Sequence, residues 1–117
     1  MFVVSIHVNA AGSDSKWHNA TGWSVYTCSG QTESDRLAEC LCEAAIKNFP
    51  GRRIRTDMSD RDWENDFYIL RKSWCPAVLT ENFFMDCKTD LAYLQSVEGK
   101  RAVVATHVEG IVEWLSI

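Results

Sequence analysis

The segment Phe2-Val3-Val4-Ser5-Ile6-His7-Val8 narrows most what this chain can fold into. It is rich in β-branched residues and nearly continuous in hydrophobicity, the pattern of a strand covered on both faces of a mostly parallel sheet. Asn9-Ala10-Ala11-Gly12 then ends it in a turn. Gly12 to Thr21 is polar and carries Trp17 and His18, so it reads as an exposed loop with an aromatic tip. Trp23-Ser24-Val25-Tyr26-Thr27 alternates with period two and predicts a second strand. From Ser34 to Asn48, Leu37, Leu41, Ala44 and Ala45 recur at helical spacing, with Ser34 as the expected N-cap and Pro50-Gly51 as the stop.

Arg52 to Asn65 is charged and irregular, and Phe67-Tyr68-Ile69-Leu70 is too short for periodicity to choose between strand and helix. After Cys75-Pro76, Ala77-Val78-Leu79-Thr80 predicts a buried strand ending at Glu81-Asn82. A short helix over Thr89 to Leu94 follows. Glu98 to Leu115 carries Val104, Val108, Ile111 and Leu115 along one stripe, which predicts an amphipathic helix packing that stripe on the sheet. Strands alternating with helices give an α/β domain with a mostly parallel sheet flanked by helices.

The 117 residues suit one domain, and 46% apolar with 24% charged residues sets the chain apart from disordered and low-complexity classes. No apolar run approaches the ~20 residues of a membrane-spanning helix. A net charge of −4 argues against a nucleic-acid surface, since phosphate binding needs clustered Lys and Arg. Arg52, Arg53 and Arg55 do cluster, and are read as a solvated loop. Five cysteines are an odd number, so a complete disulfide framework is excluded and thiols in a reducing compartment are the simplest reading. No signal peptide is expected at the N-terminus.

Ligand sites in open α/β sheets lie outside the carboxyl ends of the strands. His7 stands near the end of the first strand and Glu81 at the expected end of the strand after Pro76. If the strands run parallel, an imidazole and a carboxylate converge there, a pairing that suits a metal ligand beside a general base. The plainer readings are a hydrogen-bonded strand histidine and a solvated glutamate. Trp17 and His18 offer an apolar face and a polar edge to a sugar, although such a loop pair is commonly incidental. His107 is expected at a surface or between helices. No cysteine stands out as a nucleophile, and no Gly-rich phosphate loop is present.

Two motifs carry a resemblance. Phe2 to Ala10 looks like a family strand whose histidine is the last of three zinc ligands, and Pro76-Ala77-Val78-Leu79-Thr80-Glu81 looks like the strand that carries a catalytic glutamate. Gly22 to Tyr26, the helix from Ser34, Leu70-Arg71 and the closing helix through Gly110-Ile111 match in order and spacing. The chain thus resembles the zinc-dependent N-acetylmuramoyl-L-alanine amidases of cell-wall hydrolases and phage endolysins.

The resemblance implies a peptidoglycan hydrolase that cuts the amide between N-acetylmuramic acid and L-alanine, with His7 on zinc and Glu81 as the catalytic residue. Family members begin with a strand, a Gly-His-Gly loop and a glutamate-bearing helix, which supply two further ligands. Residues 1–117 therefore read as a single amidase-like domain truncated at its N-terminus, lacking the family's first strand and helix. After the glutamate the family commonly has Leu-Gly-Phe and later Ser-Asn, where this chain has Asn82-Phe83-Phe84 and Asp86-Cys87. The implied partners are peptidoglycan and, through an uncovered sheet edge, a second copy of the chain in a homo-oligomer. The alternative is an inactive remnant that binds peptidoglycan or a partner chain.

Overall fold

The computed structural model describes residues 1–28, 32–55, 63–64 and 68–116. Among them, strands β1 (Val3–Asn9), β2 (Trp23–Thr27), β3 (Trp63–Glu64) and β4 (Ala77–Phe84) form a sheet in the order β1-β4-β2-β3. Two of its three pairings, β1 with β4 and β2 with β3, are parallel, and β2 joins β4 antiparallel. The expected α/β architecture is present, with one antiparallel joint in the sheet. Helices α1 (Thr32–Asn48), α2 (Tyr68–Lys72), α3 (Lys88–Gln95) and α4 (Val97–Leu115) complete it.

The two faces of the sheet carry separate cores. On one, Trp23, Val25 and Val78 pack with Leu37, Ala38, Leu41, Cys42 and Ala45 of α1 and with Phe49, Phe83 and Tyr93. On the other, Ala77 and Leu79 pack under Leu70 of α2, with Val3 and Tyr26 beside them. β4 and β2 are buried along nearly their whole length, whereas β1 is half-buried over its first half and exposed at Ile6, His7 and Val8. Hydrophobic continuity in β1 thus corresponds to a strand at the sheet edge rather than to one enclosed by the chain.

Three local expectations are corrected. Ser34 does not cap α1: the helix begins at Thr32, and the Ser34 hydroxyl accepts from Ala77 N at 3.0 Å, tying the helix to the start of β4. β4 does not stop at Glu81 but runs on to Phe84. In α4, the stripe expected to pack on the sheet faces outward at Val104, Val108 and Leu115, all more than half exposed, and of its members only Ile111 reaches the core. The packed side instead presents Gly99, Thr106, His107 and Gly110, with Ala102, Val103 and Trp114 partly buried. A side chain at Gly110 would meet Leu41 Cα at 2.8 Å, so a small residue sets how closely α4 approaches α1. The segment left open between strand and helix becomes α2 from Tyr68, while Phe67 and most of Arg52 to Asn65 lie outside the described residues. All five cysteines are free thiols.

His107 is not at the surface: it lies on the packed side of α4 that also carries Gly110 against α1, and its ring reaches β4. It is 6% exposed, with Nδ1 at 2.8 Å from Val103 O and Nε2 at 2.8 Å from Thr80 Oγ1. A carbonyl only accepts, so Nδ1 carries the proton, Nε2 accepts, and Thr80 donates to it. Burial holds the His107 pKa below the ordinary histidine value. Between that depressed value and about 6.5 the unfolded chain binds the extra proton, so this group's contribution to stability is lost as pH falls through that window. The Tm difference between wild type and His107→Gln should therefore shrink as pH is lowered from 7.5 to 5.5. A constant difference would mean that His107 does not titrate differently on unfolding.

Candidate functional site

His7 and Glu81 are directly paired in the parallel β1–β4 ladder, and Ser24 pairs with Glu81 across the antiparallel β2–β4 ladder. Adjacent strands lie ~4.8 Å apart and in-register side chains share a face, so His7, Glu81 and Ser24 stand in a row across the sheet. The row lies on the face that α2 covers, one step beyond Leu79. The convergence expected of His7 and Glu81 therefore comes from register, although Glu81 is within its strand rather than at its end.

The three side chains differ in environment. His7 is exposed, and its Nε2 lies 2.8 Å from the Ser5 hydroxyl on the same face. Glu81 is half-buried, and its Oε2 is shielded from solvent with no hydrogen-bond partner among the described residues. Ser24 is 1% exposed and its hydroxyl is likewise without a partner among them. Two unmatched polar atoms on register neighbours are unusual, because leaving one buried costs about 1–3 kcal/mol. Burial raises the Glu81 pKa, partly offset by the nearby His7. The carboxylate is thus a stronger base than a solvated one.

The site is framed by residues that local sequence did not single out. Asn82, 2% exposed, donates from Nδ2 to His7 O at 2.9 Å and to Thr80 Oγ1 at 3.0 Å, and accepts from Trp23 Nε1 at 2.8 Å. Asp90, 2% exposed, accepts from Gly22 N, Phe84 N and the Thr21 hydroxyl, fixing the start of β2 against the end of β4. Asp86 accepts from the backbone N–H groups of Ala11 and Gly12 and fixes the turn after β1. Each looks like an ordinary polar residue in sequence, because its partners are distant along the chain. The only local sign was a polar residue close to an apolar run.

The other candidates lie apart from this row. His18 pairs with Asp14 at 2.8 Å in the loop after β1, and that hydrogen bond raises its pKa. His107 is on the opposite face, bonded to Thr80. Of the three arginines read as a solvated loop, Arg52 stacks over Tyr93 at 3.4 Å and Arg55 over Phe84 at 4.9 Å. Among the described residues, no group of three or more His, Cys, Asp or Glu side chains stands together as a metal site.

Comparison with known proteins bears on this geometry. The family model described as N-acetylmuramoyl-L-alanine amidase matches residues 1–113. The endolysin of Bacillus phage SPP1 is 31% identical over 116 residues, which are 97% of this chain and 40% of that protein. The amidase AmiC2 of Nostoc punctiforme aligns with a TM-score of 0.82 and 27% identity, over 99% of this chain and 58% of that one. An N-acetylmuramoyl-L-alanine amidase from Clostridium difficile 630 gives 0.81 and 26%, over 98% and 57%. This chain thus spans under three fifths of the length of these relatives.

The buried, unmatched carboxylate makes a prediction about stability. Its folded pKa lies above the unfolded value near 4.3, so its favourable contribution is present below that value and is lost as pH rises through the folded pKa. Glu81→Gln should therefore raise Tm at pH 7, with the gain disappearing at pH 4. An unchanged or lowered Tm at pH 7 would show that ionised Glu81 is satisfied in the fold.

Proposed function

Because the chain belongs to the N-acetylmuramoyl-L-alanine amidase family, we propose that it forms the part of a peptidoglycan hydrolase that carries the catalytic glutamate, Glu81. The observation that carries this reading is the unpartnered Glu81 Oε2, set beside His7 by strand register and made more basic by burial. The reaction is hydrolysis of the amide joining the lactyl group of N-acetylmuramic acid to L-alanine. Glu81 takes a proton from the attacking water as its oxygen bonds to the carbonyl carbon. As the C–N bond breaks, Glu81 returns the proton to the leaving amine, giving a carboxylate and a free amino terminus. Ser24 borders Glu81 with an unmatched hydroxyl that can hold the carboxylate or the water in place.

Zinc is the metal the resemblance implies, and His7 is the described residue suited to it. A catalytic zinc takes three protein ligands plus water. His7 and Glu81 alone do not complete that set, and His18 and His107 are engaged elsewhere. The resemblance draws the two remaining ligands from a Gly-His-Gly loop and a glutamate-bearing helix, motifs that residues 1–117 do not contain. This chain by itself, dialysed and analysed for metal, should hold far less than one zinc per molecule, and stoichiometric zinc would contradict that ligand count. In a form extended to the full length of its solved relatives, Glu81→Gln should lower release of amino groups from purified peptidoglycan by ~100 to 10,000-fold, the usual loss for general acid–base catalysis. Near-normal turnover would remove Glu81 from the reaction.

The sheet edge supports self-association of this chain. Among the described residues β1 lies at the end of the sheet order, with Ile6 58% and Val8 40% exposed. An uncovered edge with apolar side chains recruits another strand, here from a second copy. Light scattering over a concentration series should show a dimer or larger species, and Ile6→Lys should shift it toward monomer. A monomer at every concentration would show that the edge stays unpaired.

A further inference from the structure

The loop between β1 and β2 is more firmly built than its polar composition implies. The Asp86 carboxylate accepts from Ala11 N at 2.9 Å and from Gly12 N at 3.1 Å, and its backbone carbonyl accepts from His18 N at 2.8 Å. Asp14 accepts from Lys16 N at 3.2 Å and pairs with His18 Nε2 at 2.8 Å. Met85 N donates to Asn9 O at 2.8 Å, which fastens the loop's start to the end of β4. Between these anchors Trp17 stands 54% exposed. An indole held outward by a pinned backbone loses little conformational freedom when it binds.

Trp17 separates two concavities. One, of about 370 Å³, is bordered by Trp17, Ser15, Lys16, Met85 and Asp86. The other, of about 300 Å³, lies between Trp17 and His18 on one side and Lys88 and Thr89 on the other. The Lys88 ammonium is 5.6 Å from the indole centroid. Apolar ring area is thus surrounded by hydroxyl, imidazole, carboxylate and ammonium groups.

We propose that Trp17 is the platform of a saccharide subsite that binds an N-acetylated sugar ring of the glycan strand. A pyranose presents a C–H face that stacks on an indole and a belt of hydroxyls that meets polar groups around it. Met85, 49% exposed on the first concavity, offers an apolar contact to an acetyl methyl. Met85 follows Glu81 by four residues, just past the end of β4, and because the bulge lets Glu81 to Phe84 advance only two register steps the separation is roughly 10 Å. A site that far from Glu81 meets the sugar part of the substrate rather than the reacting amide itself. The assignment rests on the hydrolase reading above, and it deepens that reading by naming the part of the substrate held here.

The test uses this chain with three probes: the tetrasaccharide of N-acetylglucosamine, glycan strands stripped of stem peptides, and stem peptide alone. Calorimetry should show that wild type and Glu81→Gln bind both glycans alike. Trp17→Ala should weaken them roughly fivefold to tenfold, the factor a lost aromatic stack carries, while Trp17→Phe retains part of the affinity. Unchanged Tm in Trp17→Ala confirms that the exposed indole is not needed for folding. Glycan binding that is absent, or indifferent to Trp17, overturns the subsite. So does binding of the stem peptide alone that is lost in Lys16→Ala or Lys88→Ala, which makes the surface a carboxylate site. Hydrolysis by the extended form is measured in parallel: a Glu81-independent result with Trp17-dependent glycan binding overturns the catalytic reading only, and the converse overturns the subsite only.

Discussion

The buried side-chain amide of Asn82 holds together the end of the sheet that carries His7 and Glu81. It bonds at once to the backbone of β1 at His7, to Thr80 of its own strand, and to the indole of Trp23 on β2. Thr80 passes the chain of hydrogen bonds to His107 on α4. Donor and acceptor roles are mutually fixed: Asn82 donates to Thr80, Thr80 donates to His107, and His107 donates to Val103. Three strands and a helix therefore share one polar network inside an otherwise apolar core. A single member left unpaired there costs on the order of 1–3 kcal/mol, comparable to a good part of a small domain's stability.

Burial and hydrogen bonding divide the carboxylates by role. Asp14 and Asp86 accept from His18 and from backbone N–H groups respectively, and their pKa values fall below the usual range. They are structural anions that stay ionised. Glu81 is the opposite case: burial dominates, its Oε2 has no partner among the described residues, and its pKa rises. A group that must gain and lose a proton during reaction needs that second environment. The histidines divide similarly, with His18 favoured in its charged form by Asp14 and His107 held neutral by burial.

Residues whose environment is local were legible in the sequence, and those satisfied from afar were not. The period-two run at Trp23 and the helical spacing from Leu37 correspond to β2 and α1. The end of β4 was misplaced because an asparagine after an apolar run reads as a strand terminus, and bonds to Trp23 and His7, distant in sequence, help make Asn82 acceptable inside. The outward stripe of α4 failed for a related reason: the helix is apolar on more than one side, and its packed side is chosen by Gly110 fitting Leu41 and by His107 reaching Thr80. His7 and Glu81 were found by motif, yet composition and spacing left them open. Their adjacency depends on a ladder register that no local pattern encodes. Ser24 carried no signal, since a serine in an alternating strand is ordinary until its neighbour is known.

The bulge after Glu81 explains why the carboxylate and the network can coexist. Along β1 the register advances from His7 to Asn9 while β4 advances from Glu81 to Phe84, so β4 contains one extra residue. Phe83 absorbs it with φ of 68°, a left-handed conformation that favours glycine, which is the residue the resemblance places there. In this chain the strain is about 1–2 kcal/mol. It is offset by the Phe83 ring, which is 1% exposed and packs edge-on against Phe49 at 4.9 Å and Tyr93 at 5.5 Å. The bulge sends Asn82 and Phe83 to the same face, the one under α1, and leaves Glu81 on the face shared with His7. Without the extra residue, alternation would turn Phe83 toward the Glu81 side and fill the space beside the carboxylate. The strained position is therefore what separates the packed side of β4 from the side that carries Glu81.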